Sequence, residues 1–129
     1  MPHPRLNALS IVCDDLAATV NFYRLCGLDL PADADAPHVE IDLGGFRVMF
    51  DTVATIRAFD TDWSRPTGDS SAMSLAFECH SPAEVDATVD TLRAAGHPIA
   101  REPFDAFWGQ RYATVVDPNG NQVDIYAPL

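Results

Sequence analysis

The side chains in this sequence that can do chemistry fall into short alternating sets. Gln122, Asp124 and Tyr126 are spaced by two, so a strand puts all three on one face. The same alternation groups Ser74, Ala76 and Glu78, then Arg47, Met49 and Asp51, then His38, Glu40 and Asp42. A carboxylate in such a set can contact a cationic ligand, or act as a general base where burial raises its pKa. Phe107 and Trp108 lie between two strand-like segments, where their rings can plug the end of the core or stack on a planar or cationic ligand. Gln110 and Arg111 follow directly. Arg111-Ala113-Val115 and Tyr112-Thr114-Val116 are equally plausible as the set facing a ligand, so Arg111 stands between ligand contact and structural ion pair.

Other chemistries are excluded by composition. All eight basic residues are Arg, which removes Schiff-base catalysis and lysine-dependent phosphate loops. There is no Gly-x-Ser-x-Gly elbow, and Cys13, Cys26 and Cys79 show no metal-site spacing. The 129 residues carry 19 acids, 15 of them Asp, and a net charge of -11. Such a surface repels a phosphate backbone, so no nucleic-acid partner is expected. No apolar run is long enough for a membrane span, and the N-terminal residues do not read as a signal peptide, so a cytoplasmic protein is expected.

Two similar halves must position these side chains. Leu6 to Val12 reads as a strand, Asp14-Asp15 caps a helix bearing Leu16, Val20 and Tyr23, and Gly27 stops it. Strands are expected at Leu28 to Ala32, His38 to Leu43 and Phe46 to Asp51, the last two joined by Gly44-Gly45. The second half repeats the plan, with a strand at Met73 to Phe77, a capping box at Ser81-Pro82-Ala83-Glu84, and Gly96 after the helix. Strands at Pro98 to Pro103, Gln110 to Val116 and Gln122 to Tyr126 follow, the last two linked by Asp117-Pro118-Asn119-Gly120. This predicts an α+β chain of two tandem βαβββ modules, about residues 1–55 and 71–129, with a linker at about 56–70 and one helical turn around Ala54 to Phe59 where the first module meets it.

In Asp15-Leu16, Phe22-Tyr23, Gly27-Leu28, Leu92-Ala95-Gly96 and the terminal Asp-Pro-Asn-Gly-Asn-x-Val-Asp-Ile, the chain resembles the vicinal oxygen chelate superfamily, also called glyoxalase/bleomycin-resistance/dioxygenase. The resemblance covers essentially the whole chain. It implies two modules whose sheets curl into an open cup with helices outside, a small-molecule ligand inside, and a homodimer. Metalloenzymes of that family place four His or Glu ligands on the first, fourth, fifth and eighth strands. Here those positions fall on Ala8, Met49, Ala72 or Ser74, and Asp124, of which Asp124 alone suits a hard divalent ion. No metal and no other cofactor is therefore expected.

If Asp124, Ala8, Met49 and Ala72 face the cup, parity brings Arg47, Asp51, Glu78, Gln122 and Tyr126 inward too. The expected ligand-binding set is Arg47, Met49, Glu78, Phe107, Trp108, Arg111, Gln122, Asp124 and Tyr126. The leading expectation is a metal-independent protein that sequesters an aromatic or cationic antibiotic or metabolite. The alternative is a lyase, isomerase or dioxygenase with a rebuilt metal site, in which His38, Glu40 or Asp124 could take part, or with a carboxylate base. A third is a regulatory or immunity partner whose cup is filled by its own side chains.

Overall fold

The computed structural model describes residues 5–31, 36–66 and 73–129. Ala72 and His3 lie outside them. The chain divides into two compact units, Met1–Arg65 and Pro66–Leu129. Among the described residues, no helix is long and apolar enough to cross a membrane.

In the first unit, β1 (Ala8–Cys13) leads into α1 (Leu16–Leu25), followed by β2 (His38–Asp42), β3 (Arg47–Thr52) and a short α2 (Val53–Arg57). The Asp15 carboxylate accepts from the Ala18 N–H at 3.0 Å, supplying the cap that starts α1. Gly27, at φ 106°, ends it: its N–H donates to the Arg24 carbonyl and that of Leu28 to the Tyr23 carbonyl. The two bonds form a Schellman closure, which needs the left-handed backbone that glycine adopts freely. The sheet order is β1-β3-β2, with β1 parallel and β2 antiparallel to the central β3.

In the second unit, β4 (Leu75–Glu78) leads into α3 (Pro82–Ala94), then β5 (Ile99–Ala106), β6 (Gln110–Val116) and β7 (Gln122–Pro128). Ser81 caps α3 by accepting from the Glu84 N–H at 3.2 Å, and the Glu84 carboxylate reaches back to the His80 N–H at 2.6 Å. Gly96 repeats the Schellman closure, with His97 N–H donating to the Leu92 carbonyl. The sheet order is β4-β7-β6-β5. Asp117 holds the β6–β7 turn, its carboxylate accepting from the backbone N–H groups of Asn119 and Asn121, each at 2.8 Å.

Two expected strands differ. No strand forms over Leu28–Pro31, so among the described residues the first unit has three strands where the second has four. Leu30 is buried there, and its N–H turns back onto the Leu28 carbonyl instead of entering a ladder. β5 runs past Pro103 to Ala106, but its register with β6 shifts twice between Ile99 and Phe104. Proline has no N–H for a ladder and is accommodated on this edge strand at an irregularity.

Each sheet has one apolar face against its helices. In the first unit that face holds Ile11, Val39, Val48 and Phe50, with the Phe50 and Tyr23 rings 5.2 Å apart. In the second it holds Ala113, Val115, Val123 and Ile125 beneath Val85, Val89 and Leu92 of α3. Burial of this apolar area is the main stabilising contribution in each unit. The opposite faces are the open ones: most of their side chains are half-buried or exposed, while Asp51 and Thr114 are buried.

Candidate functional site

The open face of the second unit is set by the β6–β7 register. Tyr112 stands opposite Tyr126, Thr114 opposite Asp124, and Val116 opposite Gln122. In the parallel neighbour β4, Ala76 pairs with Asp124 and Glu78 with Tyr126. Cross-strand partners share a face, so Glu78, Gln122, Asp124 and Tyr126 come together with Tyr112 and Thr114.

The same register resolves the parity that the sequence left open, and it removes Arg111 from the expected ligand set. Arg111 projects to the helix side, where its guanidinium donates to Asp86 of α3 at 3.1 Å and to Asp105 at 3.2 Å. It ties β6 to the helix and to β5. Tyr112 takes the place on the open face instead.

Aromatic rings extend that face toward β5 and the loop after it. Phe104 pairs with Tyr112 across the β5–β6 ladder. The Trp108 ring stands edge-on to Tyr112 at 5.4 Å, to Phe104 at 6.2 Å and to Phe107 at 5.0 Å, and Tyr112 lies 6.4 Å from Tyr126. The Trp108 indole N–H donates to the Gln110 side chain at 2.7 Å, which fixes the ring's direction. Phe107 is 97% exposed and Trp108 48%, so neither is a plug over the core. Phe104 was not among the expected residues, and Tyr112 stood only in one of the two alternative sets. The alternation Phe104, Ala106, Trp108 before a strand carrying Tyr112 is the signal that could have found them.

Hydroxyl groups surround the carboxylates here. Asp124 accepts from Thr114 Oγ1 at 2.9 Å, from Ser74 Oγ at 2.9 Å, and from the Tyr112 phenol. Burial, then this bond to Asp124, pushes the Tyr112 pKa up to about 12. Burial, then Glu78, raises that of Tyr126, whose hydroxyl bonds Glu78.

The first unit's open face is built differently. Its registers put Arg47, Met49 and Asp51 of β3 beside Ala8, Ser10 and Val12 of β1 and beside Asp42, Glu40 and His38 of β2. Arg47 donates to Glu40 at 2.9 Å, His38 Nε2 lies 3.3 Å from Glu40, and His38 Nδ1 lies 2.5 Å from Asp51. Ser10 Oγ donates to Asp51 at 3.4 Å. The bond to Asp51 raises the His38 pKa above 6.5, burial opposes it, and Glu40 adds to the rise. Met49 stands half-buried in the middle of this face. Trp63, in the segment after α2, is engaged within its own unit: the Arg65 guanidinium lies 5.8 Å from its ring centre.

The four-ligand metal of the family's enzymes does not fit these side chains. Ala8 offers no donor, Met49 offers a thioether, and both Asp124 oxygens accept protein hydroxyls. His38 turns each ring nitrogen to a different carboxylate, so His38, Glu40 and Asp51 do not converge. Among the described residues, no group of three or more His, Cys, Asp or Glu side chains is arranged to hold a metal ion.

Comparison with solved structures places this fold among known ones. A glyoxalase/bleomycin resistance protein/dioxygenase family enzyme from Burkholderia phytofirmans PsJN superposes with a TM-score of 0.80 at 22% identity, over 98% of this chain and all (100%) of the other. A lactoylglutathione lyase from Agrobacterium tumefaciens gives 0.66 at 21% identity, over 98% and 95%. TioX from Micromonospora sp. ML1 gives 0.64 at 21% identity, over 98% and 100%. No curated protein matches the sequence significantly. The family model for the Glyoxalase/Bleomycin resistance protein/Dioxygenase superfamily matches residues 5–125, and the chain belongs to that superfamily.

Proposed function

We propose that the protein binds a flat, cationic aromatic small molecule, an antibiotic or a metabolite, on the open face of the second unit and without a metal. One observation carries this reading: the continuous set of rings Phe107, Trp108, Phe104, Tyr112 and Tyr126 shares its face with Asp124 and Glu78. Ring faces attract planar cations by stacking and through their quadrupoles. The two carboxylates are met by hydroxyls, which satisfy their lone pairs without cancelling their charge. Arg101 stands across the ladder from Thr114, so the face carries two carboxylates for one guanidinium. Sequestration requires no catalytic group, and the rings and carboxylates already supply what it needs.

The test is calorimetric titration with N-methylacridinium and its neutral parent acridine, each with chelator present. The cation should bind about tenfold more tightly, the size of a partly desolvated cation–π contact plus a nearby carboxylate. Equal affinity for the neutral parent, or binding that requires an added divalent metal, would contradict the reading. The reading also takes the protein as a cytoplasmic homodimer; a monomer in sedimentation would remove that part.

A further inference from the structure

The first unit's open face has a use that ligand sequestration does not call on. We propose that His38 is a general acid–base residue, oriented by Asp51 and gated by Glu40, for a substrate with an acidic C–H bond. The site shares no residue with the aromatic face of the second unit.

The two ring nitrogens of His38 face different carboxylates. Nδ1 lies 2.5 Å from Asp51 Oδ1, and Asp51 is itself fixed, with its side chain 12% exposed and its other oxygen accepting from Ser10. A carboxylate at Nδ1 keeps the proton there and leaves Nε2 as the nitrogen that titrates. Nε2 lies 3.3 Å from Glu40, and the His38 side chain is 37% exposed, so a small molecule can reach it. While Nε2 holds its proton, it donates to Glu40. Once that proton leaves, a ring lone pair faces a carboxylate oxygen and the contact becomes repulsive. Glu40 has another partner, Arg47 at 2.9 Å, and need only keep that one to expose Nε2. The remaining charged group on β2's open face is Asp42; β1 presents Ser10 and no charge, and Arg57 of α2 donates to the Trp63 carbonyl instead.

Neutral His38 then accepts the proton of a carbon acid at Nε2, and the C–H electron pair stays on the substrate. The imidazolium so formed is stabilised by Asp51, and again by Glu40 when it swings back. Return of the proton to carbon completes an isomerisation or racemisation with no further reactant. The raised pKa of His38 agrees with this geometry.

The test uses 5-nitrobenzisoxazole on the intact protein. Its C–H proton goes to the base, the N–O bond breaks, and a nitrile and a coloured phenolate form. The catalysed rate should rise with pH along one titration whose midpoint lies above 6.5 and matches that of the His38 ring in proton NMR. His38→Gln should lose about a hundredfold of that rate while its circular dichroism stays the same. Glu40→Gln should lower both midpoints together. A wild-type rate no greater than that of equimolar free imidazole, a His38→Gln rate equal to wild type, or a kinetic midpoint away from the NMR value would overturn the proposal. The NMR comparison is made on the wild type and stands whether or not a variant folds.

Discussion

On the first unit the open face carries Arg47, Glu40, His38 and Asp51 in a row, each charge beside its opposite. On the second, Asp124 and Glu78 are met by hydroxyls of Thr114, Ser74, Tyr112 and Tyr126, among rings that remain accessible. The buried centres of the helix-side faces do not differ in this way: both are Val, Ile and aromatic or small apolar residues, with Arg111 at the margin of the second, because close packing against a helix admits little else. The contrast therefore arises where packing makes no demand. Ion pairs cancel charge locally, whereas hydrogen bonds from hydroxyls leave it to act on a ligand. On the first face Arg47, Glu40, His38 and Asp51 are paired off, and Asp42 accepts from the Gly45 N–H; on the proposed reading the second face attracts a cation.

The division into packed and open faces is tested by the largest effect. Phe50→Ala and Ile125→Ala, both in fully buried positions, should each cost about 3 kcal/mol or more in urea unfolding. Trp108→Ala should cost well under half of that; a loss equal to that of Phe50→Ala would erase the distinction. Next, Asp124→Ala strands the buried Thr114 hydroxyl and should cost about 1–3 kcal/mol. In Asp124→Asn, spectrophotometric titration should find the Tyr112 phenol moved down from about 12 toward 10. An unmoved phenol would show that burial alone sets its value. Trp108→Ala should weaken N-methylacridinium binding by about tenfold, with the melting temperature nearly unchanged.

The smallest effect belongs to the first face. The folded-state pKa of His38 is raised, so its stabilising contribution is complete below 6.5 and fades as pH climbs through the raised value. His38→Gln should remove that part of the stability–pH curve. Wild-type stability that rises over the same window would invert the sign and contradict the ion-pair geometry.

Local signals carried far in this sequence. The Asp15 and Ser81 caps, the glycine stops and the Asp117 turn are decided by neighbours within six residues, and each is where the sequence puts it. The bounds of β6, Gln110–Val116, are also as expected. Leu28–Pro31 misled because one buried leucine in a turn has the same local pattern as a strand. The face of β6 was not legible, since Arg111 and Tyr112 begin equally plausible sets until Asp86, 25 residues upstream, claims the guanidinium. The bond of His38 to Asp51 is likewise a product of cross-strand register, which parity along one strand cannot supply.

The most direct test of the claim that the second unit's rings and carboxylates bind the ligand is NMR mapping of the intact protein titrated with N-methylacridinium. The largest shifts should fall on the Trp108 indole N–H and on the rings of Phe104, Tyr112 and Tyr126, with the Thr114 and Asp124 amides following. Saturable binding that leaves those signals in place while moving others, such as the His38 ring, would contradict it.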